Sequence, residues 1–145
     1  VFLEEIYSIS DGQPPEINLF NEKNNGENIL EIIKNNLVNS VHDVSNGGLI
    51  ITLAEMSMGS NCGVKINKPK KLTNLLKYFF GEDQSRYVLE VDKNNLGKVE
   101  KILKNNNIFY ENIGSTQKDY FEIQGELKID IKELYKINDR WYNNY

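Results

Sequence analysis

The sequence predicts an α+β fold, a mixed β-sheet with helices mainly on one face, and three observations lead there. Apolar residues recur at helical spacing in two early stretches: Ile29, Leu30, Ile33 and Leu37, then Leu49, Ile50, Leu53, Ala54 and Met56. Short β-favouring runs alternate with these helices. Near the C-terminal end three such runs follow one another across glycine turns, the mark of hairpins rather than crossovers. At 145 residues the chain fits one domain with one core, long enough to fold without staples.

Taken in order, Leu3, Ile6 and Tyr7 give a first helical segment. The cluster Ser10-Asp11-Gly12-Gln13-Pro14-Pro15 breaks it, because two prolines impose an extended connector. A second helix spans about Asn21 to Leu37, with Asn35-Asn36 as its stop signal, and Leu37, Val38 and Val41 mark the first strand. The apolar helix that follows runs to Met58 and closes at Gly59-Ser60-Asn61. Cys62 to Ile66 reads as a strand, ended by Pro69; Leu72, Leu75, Leu76 and Phe79 read as a short helix. Tyr87, Leu89 and Val91 share one face of a strand over Tyr87 to Asp92. Leu96, Val99 and Leu103 mark a helix ended by Asn105-Asn106-Asn107.

Three strands are expected after it, Ile108 to Ile113, Tyr120 to Ile123 and Leu127 to Ile131, joined by turns at Gly114-Ser115 and Gly125-Glu126. A last helix spans Ile131 to Trp141, and the closing Trp141-Tyr142-Asn143-Asn144-Tyr145 is an aromatic cluster suited to packing on a core or a neighbouring domain. The opening Val-Phe-Leu, without an initiator methionine, leads us to expect a piece of a longer multidomain chain.

Composition narrows the function. With 17 basic and 21 acidic residues interspersed and a net charge of −4, there is no electrostatic footprint for nucleic acid. The one cysteine, Cys62, excludes an internal disulfide and a cysteine-based metal cluster, and it fits a reducing compartment. No apolar run approaches the roughly 20 residues that span a bilayer, and no signal peptide is visible. We therefore expect a soluble, cytoplasmic protein with neither nucleic acid nor membrane as partner.

Two stretches carry the chemistry. Val41-His42-Asp43-Val44-Ser45-Asn46-Gly47-Gly48-Leu49 is a strand-to-helix junction. Ser45 or Asn46 can cap the helix, and Gly47 and Gly48 let backbone N–H groups approach a ligand. Such an end attracts anions, since its first N–H groups lack intrahelical partners and the helix dipole is positive there. Asp43, at the strand's end, is placed to hold Mg²⁺. His42 is the only histidine and sits next to Asp43, so on a strand the two side chains point to opposite faces and do not form a dyad.

The second stretch, Gly81-Glu82-Asp83-Gln84-Ser85-Arg86, opens onto a strand; its acids and amide offer oxygen ligands, and Arg86 a planar fork for phosphate. Each stretch also has an ordinary structural use, as a glycine turn and as an Arg–Glu salt bridge, and spacing alone leaves both open. There is no phosphate loop of the Gly-Lys-Ser/Thr type, so the chain supplies part of a site rather than a whole one.

The residues His42 to Leu49, then Ala54-Glu55-Met56, then Phe80-Gly81-Glu82-Asp83-Gln84-Ser85-Arg86-Tyr87, resemble the C-terminal domain of the AIR synthase-related ATP-dependent enzymes. The wording of both motifs, Gly12-Gln13-Pro14-Pro15 and the closing Trp141-Tyr142 resemble more narrowly the last domain of the phosphoribosylformylglycinamidine synthase family, and the resemblance covers nearly the whole chain. Asn46 stands where that family often has Asp, and Ser85 where Gly is common.

The resemblance implies an ATP-dependent ligase of purine biosynthesis that turns formylglycinamide ribonucleotide into the amidine with ATP, Mg²⁺ and ammonia from a glutaminase. It implies that Ser45, Gly47, Gly48, Glu82, Asp83, Gln84 and Arg86 face substrate or nucleotide phosphate, that Asp43 holds the metal, and that no catalytic residue lies in this domain. The implied partners are the remaining domains of the synthetase subunit, the glutaminase subunit and a small accessory subunit. Two alternatives stand beside it: a non-catalytic scaffold domain of that assembly, and a kinase of the same superfamily.

Overall fold

The computed structural model describes residues 1–10, 13–69 and 74–143, without the side chains of Trp141 and Tyr142. The expectations for Asp11-Gly12, for Leu72 and for the closing aromatic cluster lie outside the described residues. The elements run α1 (Phe2–Tyr7), α2 (Leu19–Lys34), β1 (Ser40–Asp43), α3 (Gly48–Ser60), β2 (Gly63–Ile66), α4 (Leu75–Phe80), β3 (Tyr87–Glu90), α5 (Lys93–Asn105), β4 (Gly114–Gln117), β5 (Tyr120–Ile123), β6 (Leu127–Asp130) and α6 (Ile131–Asn143). The class is α+β, as expected, but the strands divide between a two-stranded and a four-stranded sheet instead of forming one, and the contacts gather in two compact units.

The first unit comprises Val1–Thr52 and Phe79–Glu111. Asn18 starts α2 by accepting the Asn21 N–H on its side chain at 3.0 Å, the usual role of Asn before a helix. Ile29 and Ile32 from α2 pack with Leu37 and with Val99 and Leu103 from α5, and Val41, Tyr87 and Leu89 of the strands close over them. β1 and β3 pair antiparallel, Val41 opposite Leu89 and Asp43 opposite Tyr87.

The asparagines stop helices by a common device. Asn36 and Asn107 take left-handed φ values of 52° and 54°, and the next residue closes back on the helix, Leu37 N to Ile32 O at 3.2 Å and Ile108 N to Leu103 O at 2.9 Å. Asn tolerates this conformation better than any other residue except glycine, which is why it serves as a stop.

The second unit comprises Leu53–Tyr78 and Asn112–Tyr145. Its sheet has the order β4-β2-β5-β6, with β2 parallel to β5 and the other pairs antiparallel. Ile66, Phe121, Ile123 and Ile131 are its buried apolar residues on or beside the sheet. The Tyr135 hydroxyl of α6 donates to the Met58 carbonyl of α3.

One strand lies elsewhere than expected. Residues 108–113 are irregular, and the strand is β4, where a turn at Gly114-Ser115 was expected. Two local facts explain it. Ile108 is spent on closing α5, and a Cβ on Gly114 would lie 2.1 Å from the Lys65 carbonyl oxygen, so this glycine permits close strand approach instead of turning the chain. Ile131 begins α6 rather than ending β6, and Asp92 precedes α5 rather than ending β3.

Candidate functional site

Both sequence stretches lie in the first unit, and the β1–β3 ladder brings them together. Beyond Asp43 the pairing continues by one bond, Val44 N to Arg86 O at 2.8 Å. Val44 is buried, and the chain then turns, with the Ser45 carbonyl accepting the Gly48 N–H at 3.0 Å. Gly47 and Gly48 have φ values of 80° and 72°, left-handed conformations that carry a steric cost for any residue with a Cβ.

What surrounds the glycines differs from open access for a ligand. The Gly47 N–H donates to Glu82 Oε1 at 2.7 Å. A Cβ on Gly48 would lie 2.7 to 2.8 Å from backbone atoms of Phe79, Phe80 and Gly81, so the start of α3 rests directly on the chain that leads into the acidic loop. A Cβ on Gly47 would lie 2.4 Å from Ile51 Cγ1. The glycines are therefore demanded by packing, and the anion at this helix start is the chain's own carboxylate. The helix is opened by the Ser45 carbonyl and by Glu82 from another segment.

The acidic loop is held from its other end as well. Arg86 Nη1 donates to the Gly81 carbonyl at 3.1 Å and lies 3.7 Å from Asp83 Oδ2. The ordinary salt bridge expected between Arg86 and Glu82 is thus an Arg86–Asp83 pair, with Glu82 turned to the glycines. These two contacts both use Nη1, and the Nε and Nη2 edge is a side of the guanidinium that can fork a phosphate. Ser85, at the position where the resembling family favours Gly, has φ 62°. Asn25 of α2 steadies it, its side-chain N–H₂ donating to the Ser85 carbonyl at 3.1 Å and hydroxyl at 2.9 Å. Asp83 and Gln84 are exposed.

The Asp43 side chain is 68% exposed at the end of β1. His42 does not point clear of it: His42 Nδ1 lies 2.7 Å from the Asp43 carbonyl oxygen and 3.6 Å from Asp43 Oδ1. Since the carbonyl only accepts, the geometry assigns the proton to Nδ1. Among the described residues no group of three His, Cys, Asp or Glu side chains converges to hold a metal. Asp43 still fits Mg²⁺ as a single contribution, because that ion ordinarily takes one or two protein carboxylates and completes its shell with phosphate oxygens and water.

Beside Asp43 is a cleft of about 470 Å³, lined by Gly26, Ile29, Leu30, Ile33, Val41, His42, Asp43 and Tyr87. Burial raises the Tyr87 pKa above the ordinary phenol value, and the negative charges of Glu22 and Asp43 raise it further. Asn25 and Thr52 carry no sequence signal named above, and Tyr87 stands there as a strand residue rather than a site residue. Thr52 is buried and bonds from Oγ1 to the Gly48 carbonyl at 3.2 Å. Its signal was a β-branched polar residue within the apolar first turns of the helix, between Ile51 and Leu53.

A family model described as AIR synthase related protein, C-terminal domain, matches residues 2–125, and the chain belongs to this family. Among curated relatives it is 41% identical over 145 residues to phosphoribosylformylglycinamidine synthase subunit PurL of Pelagibacter ubique, and 35% identical to the protein of the same name from Rhodopseudomonas palustris. Each match takes in 100% of this chain and 20% of the relative, so the chain spans about a fifth of the length of these relatives.

Solved structures share the fold. T. maritima PurL complexed with FGAR superposes with a TM-score of 0.75 at 15% identity, over 90% of this chain and 24% of that one. T. maritima PurL complexed with ATP gives 0.65 at 15% identity over 77% and 21%, and PurLQS from Thermotoga maritima 0.69 at 17% over 91% and 24%.

Proposed function

We propose that this chain is the C-terminal domain of a phosphoribosylformylglycinamidine synthase and contributes one face of a phosphate and Mg-nucleotide site that other domains of the synthetase complete. The observation that carries this reading is the joining of the two motifs, Val44 to Arg86 and Gly47 to Glu82, which sets Asp43, Ser45, Asp83, Gln84 and Arg86 around one junction. Gly47, Gly48 and Glu82 hold that junction, and Asp43 offers the carboxylate for Mg²⁺. The reaction is the ATP-dependent conversion of formylglycinamide ribonucleotide to its amidine: the amide oxygen takes the γ-phosphoryl group, and ammonia then displaces it as phosphate. Bound ATP with Mg²⁺ supplies the phosphoryl group; this domain's residues bind and orient.

Support comes from the synthases that match along the whole chain, from the PurL structures complexed with FGAR and with ATP, and from the PurLQS assembly, which fits a glutaminase and a small accessory subunit as partners. Soluble nucleotide substrates fit the cytoplasm, and no helix among the described residues is long and apolar enough to cross a membrane.

The test is D43A and R86A in the intact synthetase. Each is expected to weaken ATP or FGAR binding, or turnover, by tenfold or more, roughly the effect of one charge-assisted contact, with folding retained. Wild-type kinetics in both would leave a second reading, favoured by the engaged glycine N–H groups, in which the junction is a structural turn of a scaffold domain.

A further inference from the structure

We infer that Glu82 is a positioning residue for this site: its carboxylate works on the Gly47 N–H and so fixes where the acidic loop, with Asp83 and Gln84, stands against the glycine turn, without itself touching metal or substrate. The inference rests on the functional reading above and adds a division of labour within the acidic loop.

The loop contains two adjacent carboxylates with different surroundings. Asp83 is exposed and pairs with Arg86. Glu82 is half-buried and turned the other way, onto the buried N–H of Gly47 at 2.7 Å. A carboxylate on a backbone N–H at the start of α3 makes a charge-assisted bond where the helix dipole is positive, so it is both strong and directional. An arriving phosphate could take that N–H only by displacing it.

The bond also has leverage. Two other contacts named above tie the same two segments, Val44 N to Arg86 O and the seat of Gly48 on the backbone of Phe79 to Gly81, while Arg86 Nη1 on the Gly81 carbonyl closes the loop on itself. Of these, only the Glu82 bond joins the loop to the glycine turn through a side chain. Released from Gly47, the loop between Gly81 and Ser85 loses its side-chain tie to the glycine turn, and the turn after Asp43 loses its outer support. Asp83 and Gln84 then lose their fixed place relative to Asp43, which the β1–β3 ladder continues to hold beside Arg86.

The experiment compares E82A and E82Q in the full-length synthetase, by steady-state kinetics with ATP and FGAR and by amide hydrogen exchange of the peptide spanning residues 44–49. Gln keeps an acceptor oxygen for Gly47 and drops the charge a metal ion or substrate contact would need. E82A is expected to speed exchange of that peptide and to lower kcat/KM by roughly tenfold to a hundredfold. E82Q is expected to restore most of both.

An E82Q enzyme as slow as E82A, with exchange still protected, would overturn the inference and make Glu82 a direct ligand. Unchanged exchange in E82A would overturn it by removing the contact. Faster exchange with unchanged kinetics would keep the contact but sink the functional reading, and the positioning role with it. If E82A fails to fold, E82Q decides between ligand and positioning by itself.

Discussion

Gly47 gives its backbone N–H to the Glu82 carboxylate at 2.7 Å, across 35 residues of sequence. That bond turns two separate motifs into one structure. It also changes what the double glycine is for: the turn is closed on the protein's own acid, with Asp43, Ser45, Asp83 and Gln84 exposed around it.

Gly48 should tolerate no side chain. Alanine there would have to hold φ near 72°, and its Cβ would overlap three backbone atoms of Phe79, Phe80 and Gly81 at 2.7 to 2.8 Å. The conformation costs about 1–2 kcal/mol and overpacking against backbone about 1–3 kcal/mol more. We expect G48A in the intact synthetase to lose about 3 kcal/mol and to open residues 44–49 and 79–86 together to proteolysis. Unchanged melting and unchanged proteolysis would contradict the packing described for this turn.

Ser85 shows how one departure from the family pattern is absorbed. Its left-handed φ of 62° would suit Gly, yet the serine hydroxyl accepts from Asn25 at 2.9 Å and donates to the Asn21 carbonyl at 3.3 Å. Replacing it by Gly removes a backbone cost of about 1 kcal/mol and also these bonds, worth about 1 kcal/mol between them, so S85G should be nearly neutral. N25A, which loses the bonds and keeps the backbone cost, should destabilise by about 1 kcal/mol. Paired thermal melts measure both, and a strongly stabilised S85G would show that the Asn25 contacts contribute nothing.

The helices and the site's parts were legible in sequence because their signals are local. Ile29 marked the buried side of α2, but that side continues through Ile32, and Leu30 and Ile33, expected beside it, are exposed; Asn36 and Asn107 marked stops that the left-handed turns confirm. The pairing of Glu82 with Gly47 was not legible: a Gly-Glu-Asp-Gln run says which groups are available, and the direction each carboxylate takes depends on the β1–β3 register. The displaced strand has the same origin. Ile108 to Ile113 has better β propensity than Gly114–Gln117, but closure of α5 claims Ile108, and only a glycine fits against Lys65. Long-range contacts overrode local preference at both places.

Tyr87 gives the junction a pH signature. Burial, reinforced by Glu22 and Asp43, raises its pKa in the folded protein above the ordinary value near 10. The native state then binds the phenolic proton more tightly than the unfolded chain does. Its contribution is fully present below about pH 10 and is lost as pH rises through the raised native value, because ionisation must place a charge in the half-buried cleft beside two carboxylates. Y87F cannot ionise and removes this loss. In urea melts of the intact synthetase between pH 8 and pH 11, wild-type stability should therefore fall more steeply above about pH 10 than that of Y87F. Parallel curves would mean that Tyr87 titrates alike in both states, and that neither its burial nor the charge of Asp43 acts on the hydroxyl.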